Sequence, residues 1–121
     1  MKYMLLCYDD AEYWERAGKT AHEEAIQEAV QLTHELDSRG QYLTAAPLQP
    51  ISTATSVRVR NGKSLITDGP FAETREVLGG FYLIDAKDLN EAIAIAGRHP
   101  GARVGTVEVR PVMEIAGLPK R

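Results

Sequence analysis

Between Thr67 and Asp85 the chain reads TDGPFAETREVLGGFYLID. No helix or strand can run through Asp68-Gly69-Pro70, because proline lacks an amide donor and glycine there favours a turn. Phe71 follows at once, and then Glu73, Arg75 and Glu76 crowd together. Gly79-Gly80 next releases the chain into the apolar run Phe81 to Ile84, a pattern of a buried strand. A stiffened polar loop fed into a core strand is a common geometry for a binding site on a rigid scaffold. The same residues also suit a turn with a solvated acidic rim.

At 121 residues, with 44% apolar and 26% charged side chains, the chain predicts one soluble globular domain spanning 1–121. No apolar run approaches the roughly twenty residues of a membrane span. The short apolar start, broken at Asp9-Asp10, lacks a signal-peptide pattern. Cys7 is the single cysteine, which excludes an internal disulfide and fits a reducing cytoplasm. Charge is uneven: residues 1–40 hold nine acids and four bases, and residues 41–121 hold eight acids and ten bases. Neither part has the basic block of a nucleic-acid surface, so no nucleic-acid partner is expected.

Met1 to Tyr8 predicts a central strand. Asp9 to Lys19 reads as a polar connection with Trp14 its one large apolar side chain. Thr20-x-x-Glu23 has the form of a capping box. The stripe Ala25, Ala29, Leu32 and Leu36, widened by Ile26, Val30 and Thr33, then predicts a helix ending at Arg39-Gly40. Gln41 to Ala46 gives a short strand halted by Pro47. Ser56 to Thr67 gives a hairpin around Asn61-Gly62, the favoured two-residue type I′ loop. Its register sets Val57 against Ile66 and Arg60 against Lys63. Phe81 to Ile84 is the next strand, Asp88-x-x-Glu91 opens a second helix that Gly97 and Pro100 stop, and Thr106 to Val112 alternates as a last strand. This order predicts an α+β fold, a ferredoxin-like split βαβ sandwich with an inserted β-hairpin. Two apolar strand faces and one helical layer further predict a homodimer packed through its sheets.

The segments MKYMLLCY, LQP at Leu48–Pro50, TDGPFAETRE, GGFYLID and VEVRPV resemble the YCII-related family, in its DGPF-domain branch. They run through nearly the whole chain in order. The resemblance implies a small bacterial cytosolic protein whose ferredoxin-like domains dimerise into an α/β barrel, with no established reaction. Some relatives of that barrel act on lactones of aromatic degradation, and DGPF proteins often accompany extracytoplasmic-function sigma factors. Relatives are thought to use a histidine in the first helix and an aspartate before a proline. Those positions here hold Ala29 and His99, so that dyad is not carried over.

The candidate chemistry is sparse. His22 and His34 stand about 18 Å apart along one helix and cannot share a metal. With one cysteine and no ligand cluster, neither a metal nor a cofactor is expected. His22 reads as a core or rim histidine, His34 and His99 as surface residues, and Cys7 as an inert buried thiol. Asp68 before Gly-Pro reads as a brace that accepts amides of its own turn. Two functional classes stay open, and neither decides whether the protein is an enzyme. One is a small-molecule-binding protein, with Tyr3, Tyr8 and Tyr82 flooring a pocket and Asp68, Phe71, Glu73 and Arg75 at its rim. There Arg75 would suit a carboxylate. The other is a non-catalytic module that meets a sigma factor through the acids Glu23, Glu24, Glu28 and Glu35.

Overall fold

Alternation along the first strand decides the architecture. In β1 (Lys2–Asp10), Tyr3, Leu5 and Cys7 are buried while Met4, Leu6 and Tyr8 are only half-buried. One face of the strand is therefore committed to a core. The computed structural model, which describes residues 1–120, sets β1 between two antiparallel neighbours. With β2 (Tyr42–Pro47), β5 (Glu76–Asp85) and β6 (Thr106–Pro111) it forms a four-stranded sheet in the order β2-β5-β1-β6. This mixed α+β arrangement with an antiparallel sheet is compatible with the expected ferredoxin-like fold. A second, two-stranded sheet is the inserted hairpin, β3 (Thr55–Arg60) and β4 (Lys63–Asp68).

Helices α2 (Lys19–Ser38) and α3 (Leu89–Gly97) supply the other half of the core. Leu32 and Leu36 of α2 and Ala92, Ile95 and Ala96 of α3 cluster with Tyr3, Leu5, Tyr82 and Ile84. Val107 and Val109 of β6 pack against that cluster, as their alternation requires. The end of α2 follows its sequence: the Gly40 amide donates to Asp37 and the Gln41 amide to Leu36, with Gly40 at φ +72°. That is a Schellman termination with glycine in the left-handed position. At α3 the Asp88 carboxylate accepts the Glu91 amide, while Glu91 reaches back to the amide of Lys87.

Three local expectations are corrected. Residues 11–17 are a helix, α1 (Ala11–Ala17), because Asp10 caps it by accepting the Glu12 amide at 3.0 Å. Consequently Gly18, at φ +95°, joins two helices, and α2 begins at Lys19 without a side-chain cap, so the Thr20–Glu23 box does not form. After Pro100 the chain makes one further helical turn, α4 (Gly101–Val104). The hairpin register is as expected: Val57 faces Ile66, Arg60 faces Lys63, and Asn61 and Gly62 both have positive φ.

Gly79 and Gly80 mark the irregularity of the sheet. Opposite Cys7 and Tyr8 the register of β5 slips from Gly80 to Leu78. A β-carbon on Gly80 would stand 3.0 Å from the Ala46 carbonyl oxygen, and one on Gly79 would stand 3.2 Å from an Asp9 carboxylate oxygen. The glycines thus let β2 and the Asp9 side chain approach the bulge closely.

Candidate functional site

Beyond Leu32 the apolar stripe of α2 stops being buried. Ala25 and Ala29 are half-buried and Ile26 and Val30 are exposed, although the sequence places all four on the core stripe. What lies beneath them is a cleft of about 900 Å³ between the N-terminal half of α2 and the sheet. Its far wall is the end of β2 with the following Leu48–Ile51 segment, and its floor comes from Cys7 to Asp9 and Val77 to Tyr82. The lining is mainly apolar, and a small set of polar side chains converges on it.

Asp9 and Trp14 form the first of these groups. The indole Nε1–H of Trp14 donates to Asp9 Oδ2 at 2.8 Å, which fixes the ring at the lip of the cleft. His22 lies against that ring, with centroids 5.0 Å apart. The second group is His99 with Tyr82. The two rings meet edge to face at 5.4 Å, and the Tyr82 hydroxyl donates to the Ala29 carbonyl at 3.2 Å, tying α2 to the sheet. His99 Nδ1 accepts the Gly101 amide at 2.9 Å, so the neutral ring carries its proton on Nε2. Burial holds the His99 pKa below its usual value, partly countered by the charges of Glu28 and Asp9, which keeps the ring neutral at pH 7. Burial, reinforced by Asp9, pushes the Cys7 thiol up to about 11, and burial with Cys7 and Tyr42 raises Tyr82 to about 12. Neither is ionised near neutrality, so Cys7 is no thiolate nucleophile.

Of the residues singled out from sequence, Tyr8 and Tyr82 border this cleft. Tyr3 does not; it is buried in the core, its hydroxyl directed at the Met1 sulfur. Asp68, Phe71, Glu73 and Arg75 lie outside the cleft and exposed, Phe71 at 80%. Among the described residues the Asp68 carboxylate accepts no hydrogen bond. The turn is held instead by the Gly69 amide on the Ala54 carbonyl (2.7 Å) and by the Ser56 hydroxyl on the Gly69 carbonyl (2.8 Å). Arg75 is spoken for: its Nε donates to Asp10 Oδ2 at 3.0 Å. That bond holds the Asp10 carboxyl below the usual carboxylate range. Since Asp10 also caps α1, the loop braces the helix that carries Trp14.

His99, expected at the surface, is half-buried in the fold, because α4 turns it back beside Tyr82. In sequence Trp14 stands out only as a lone aromatic in a polar stretch. Asp9 gives no sign there of its role, which depends on the helix that follows it. Among the described residues no cluster could hold a metal ion. No helix is long and apolar enough to cross a membrane.

A helix-over-antiparallel-sheet domain with a ligand-sized cleft at one end of its longest helix is the class these features define. A family model for the YCII-related domain matches residues 1–116. The chain is also 35% identical over 114 residues to an uncharacterized protein of Rhizobium meliloti (strain 1021), across 93% of this chain and 92% of that one. The protein belongs to the YCII-related family.

Proposed function

We propose that the protein binds a small, mainly apolar organic molecule in the cleft beneath the N-terminal half of α2. The observation that carries this reading is a cavity of about 900 Å³ with an apolar lining and a few convergent polar groups. Ligand sites commonly have that size and make-up. The site is recentred from the loop of residues 68–75 to Asp9, Trp14, Tyr82 and His99. Arg75, expected to meet a carboxylate, is engaged by Asp10. In the same proposal two copies pair through their sheets, because Met4, Leu6, Leu78, Phe81 and Leu83 are only half-buried in one chain.

The sigma-factor reading draws less support. Of the four acids expected to meet a basic partner, Glu28 is paired with Arg103 at 2.7 Å and Glu35 with Arg98. Glu23 lies 3.8 Å from Lys19.

A thermal-shift screen of small aromatic and aliphatic compounds, neutral and anionic, tests the proposal. Ala25→Trp should fill the cleft and abolish any stabilisation while leaving the fold intact by circular dichroism. No stabilising compound, or equal stabilisation of the filled variant, overturns the reading.

A further inference from the structure

We infer that the cleft selects an uncharged planar ligand bearing a hydrogen-bond donor beside an acceptor, read by Asp9 and His99. The inference rests on the cleft being a ligand site, and it names what that site discriminates.

The polar inventory is short. Asp9 Oδ2 is occupied by Trp14 Nε1–H, and among the described residues Oδ1 has no hydrogen-bond partner. Gly79 leaves the approach to Oδ1 open, since a β-carbon there would stand 3.2 Å away. Oδ1 is therefore an acceptor left to solvent or to a ligand's donor. His99 presents the opposite polarity. Its Nδ1 is taken by the Gly101 amide, and Nε2–H has no protein partner among the described residues. Gly101 is needed for this, because a β-carbon would come within 2.9 Å of Nδ1. Asp9 and His99 both line the cleft, and a β-carbon on Gly105, at the end of the short helix that follows His99, would stand 3.0 Å from the Asp9 Cα, so acceptor and donor share one neighbourhood. Around them the rings of Trp14, His22 and Tyr82 favour a flat molecule.

Charge sets the second half of the selection. Asp9 and Glu15 line the cleft, and Lys19 and His22 are at its helix side. Of the charges that bear on His99, Glu28 and Asp9 are negative, and the one positive charge, Arg103, is already paired with Glu28. A ligand carboxylate would face Asp9 without a buried cation beside it, an unfavourable exchange for its hydration. An aromatic amide or a hydroxyaromatic carbonyl satisfies both groups without that cost.

A matched pair tests this: 2-hydroxybenzamide and 2-hydroxybenzoate, titrated calorimetrically against the wild type, Asp9→Asn and His99→Phe. The wild type should bind the amide at least tenfold tighter than the carboxylate. Asp9→Asn, which keeps an acceptor for Trp14, should narrow that ratio at least fivefold, chiefly by improving carboxylate binding. His99→Phe should weaken the amide about tenfold. His99→Gln, which restores a side-chain donor, should recover part of the loss if the loss reflects the hydrogen bond rather than packing. A carboxylate preferred by the wild type, or a ratio unmoved by Asp9→Asn, overturns the inference while leaving the cleft as a binding site. Binding that survives Ala25→Trp removes the cleft itself, and failure of both compounds at millimolar concentration counts against both readings.

Discussion

The four-stranded sheet and the β3–β4 hairpin are made of similar strands and end in opposite circumstances. In the sheet, Leu5 and Ile84 are 1% and 0% exposed. In the hairpin, Val57 and Ile66 face each other in good register and remain 63% and 69% exposed. Both regions alternate and both pair antiparallel, so strand pattern does not separate them. A helical layer does: α2 and α3 cover one and neither covers the other. The hairpin draws its shape from the Asn61-Gly62 turn, whereas the sheet draws its stability from burial. A lone two-stranded hairpin is marginal in water, and here Val57, Val59 and Ile66 gain no cover from the helical layer.

Breaking the covered region should have the largest effect. Leu36, fully buried under the sheet, should cost about 2–5 kcal/mol when changed to alanine, read from urea denaturation. At the junction between the two regions, Gly69 has φ +98°, where a side chain adds about 1–2 kcal/mol of strain. Gly69→Ala should therefore lower stability by that amount. Asp68→Ala beside it should change stability by no more than about 0.5 kcal/mol, since its carboxylate holds no turn amide.

The Asp10–Arg75 bond sharpens the comparison by pH. Arg75 depresses the folded pKa of Asp10, so the pair stabilises the protein above the unfolded value of about 3.9. That contribution is lost as pH falls through the lower folded value. Asp10→Asn should melt below the wild type at pH 7, and the gap should close as the pH is taken below the unfolded value of about 3.9 in a series of melting curves. The smallest effect on stability belongs to the uncovered hairpin. Val57→Ser and Ile66→Ser should each shift the unfolding free energy of dilute protein by less than about 0.5 kcal/mol. In sedimentation the double variant should self-associate as the wild type does, since the proposed pairing runs through the four-stranded sheet.

Features written in neighbouring residues are legible from the sequence alone. Asn61-Gly62 announces its turn, Arg39-Gly40 its helix end and Asp88 its cap, because each acts within four residues. The order of strands and helices then implies the layer arrangement. Residues 11–17 mislead because their helix is started by Asp10, and Asp10 is steadied by Arg75, sixty-five residues away. The cleft is hidden for the same reason. Asp9, Trp14, Tyr82 and His99 lie on β1, α1, β5 and the turn before α4, and no spacing in the chain relates them. His99 is misplaced by sequence because Pro100 reads as a stop, whereas here it precedes another helical turn.

Helix α2 is 20 residues and so about 30 Å long, but its buried residues, Leu32 and Leu36, both lie toward its C-terminal end. Glu28 and Glu35 anchor that half by ion pairs, and Tyr82 pins it at Ala29. The remainder is a cantilever, resting on Trp14 at its far end and spanning the cleft in between. Pivoting about Ala29 by about 5° would carry Lys19 through about 1.3 Å. Of these anchors, Ala29 and Tyr82 belong to the cleft, whereas the two arginine ion pairs stand outside it. Loosening Arg98 or Arg103 would alter how wide the mouth stands without changing one residue of its lining.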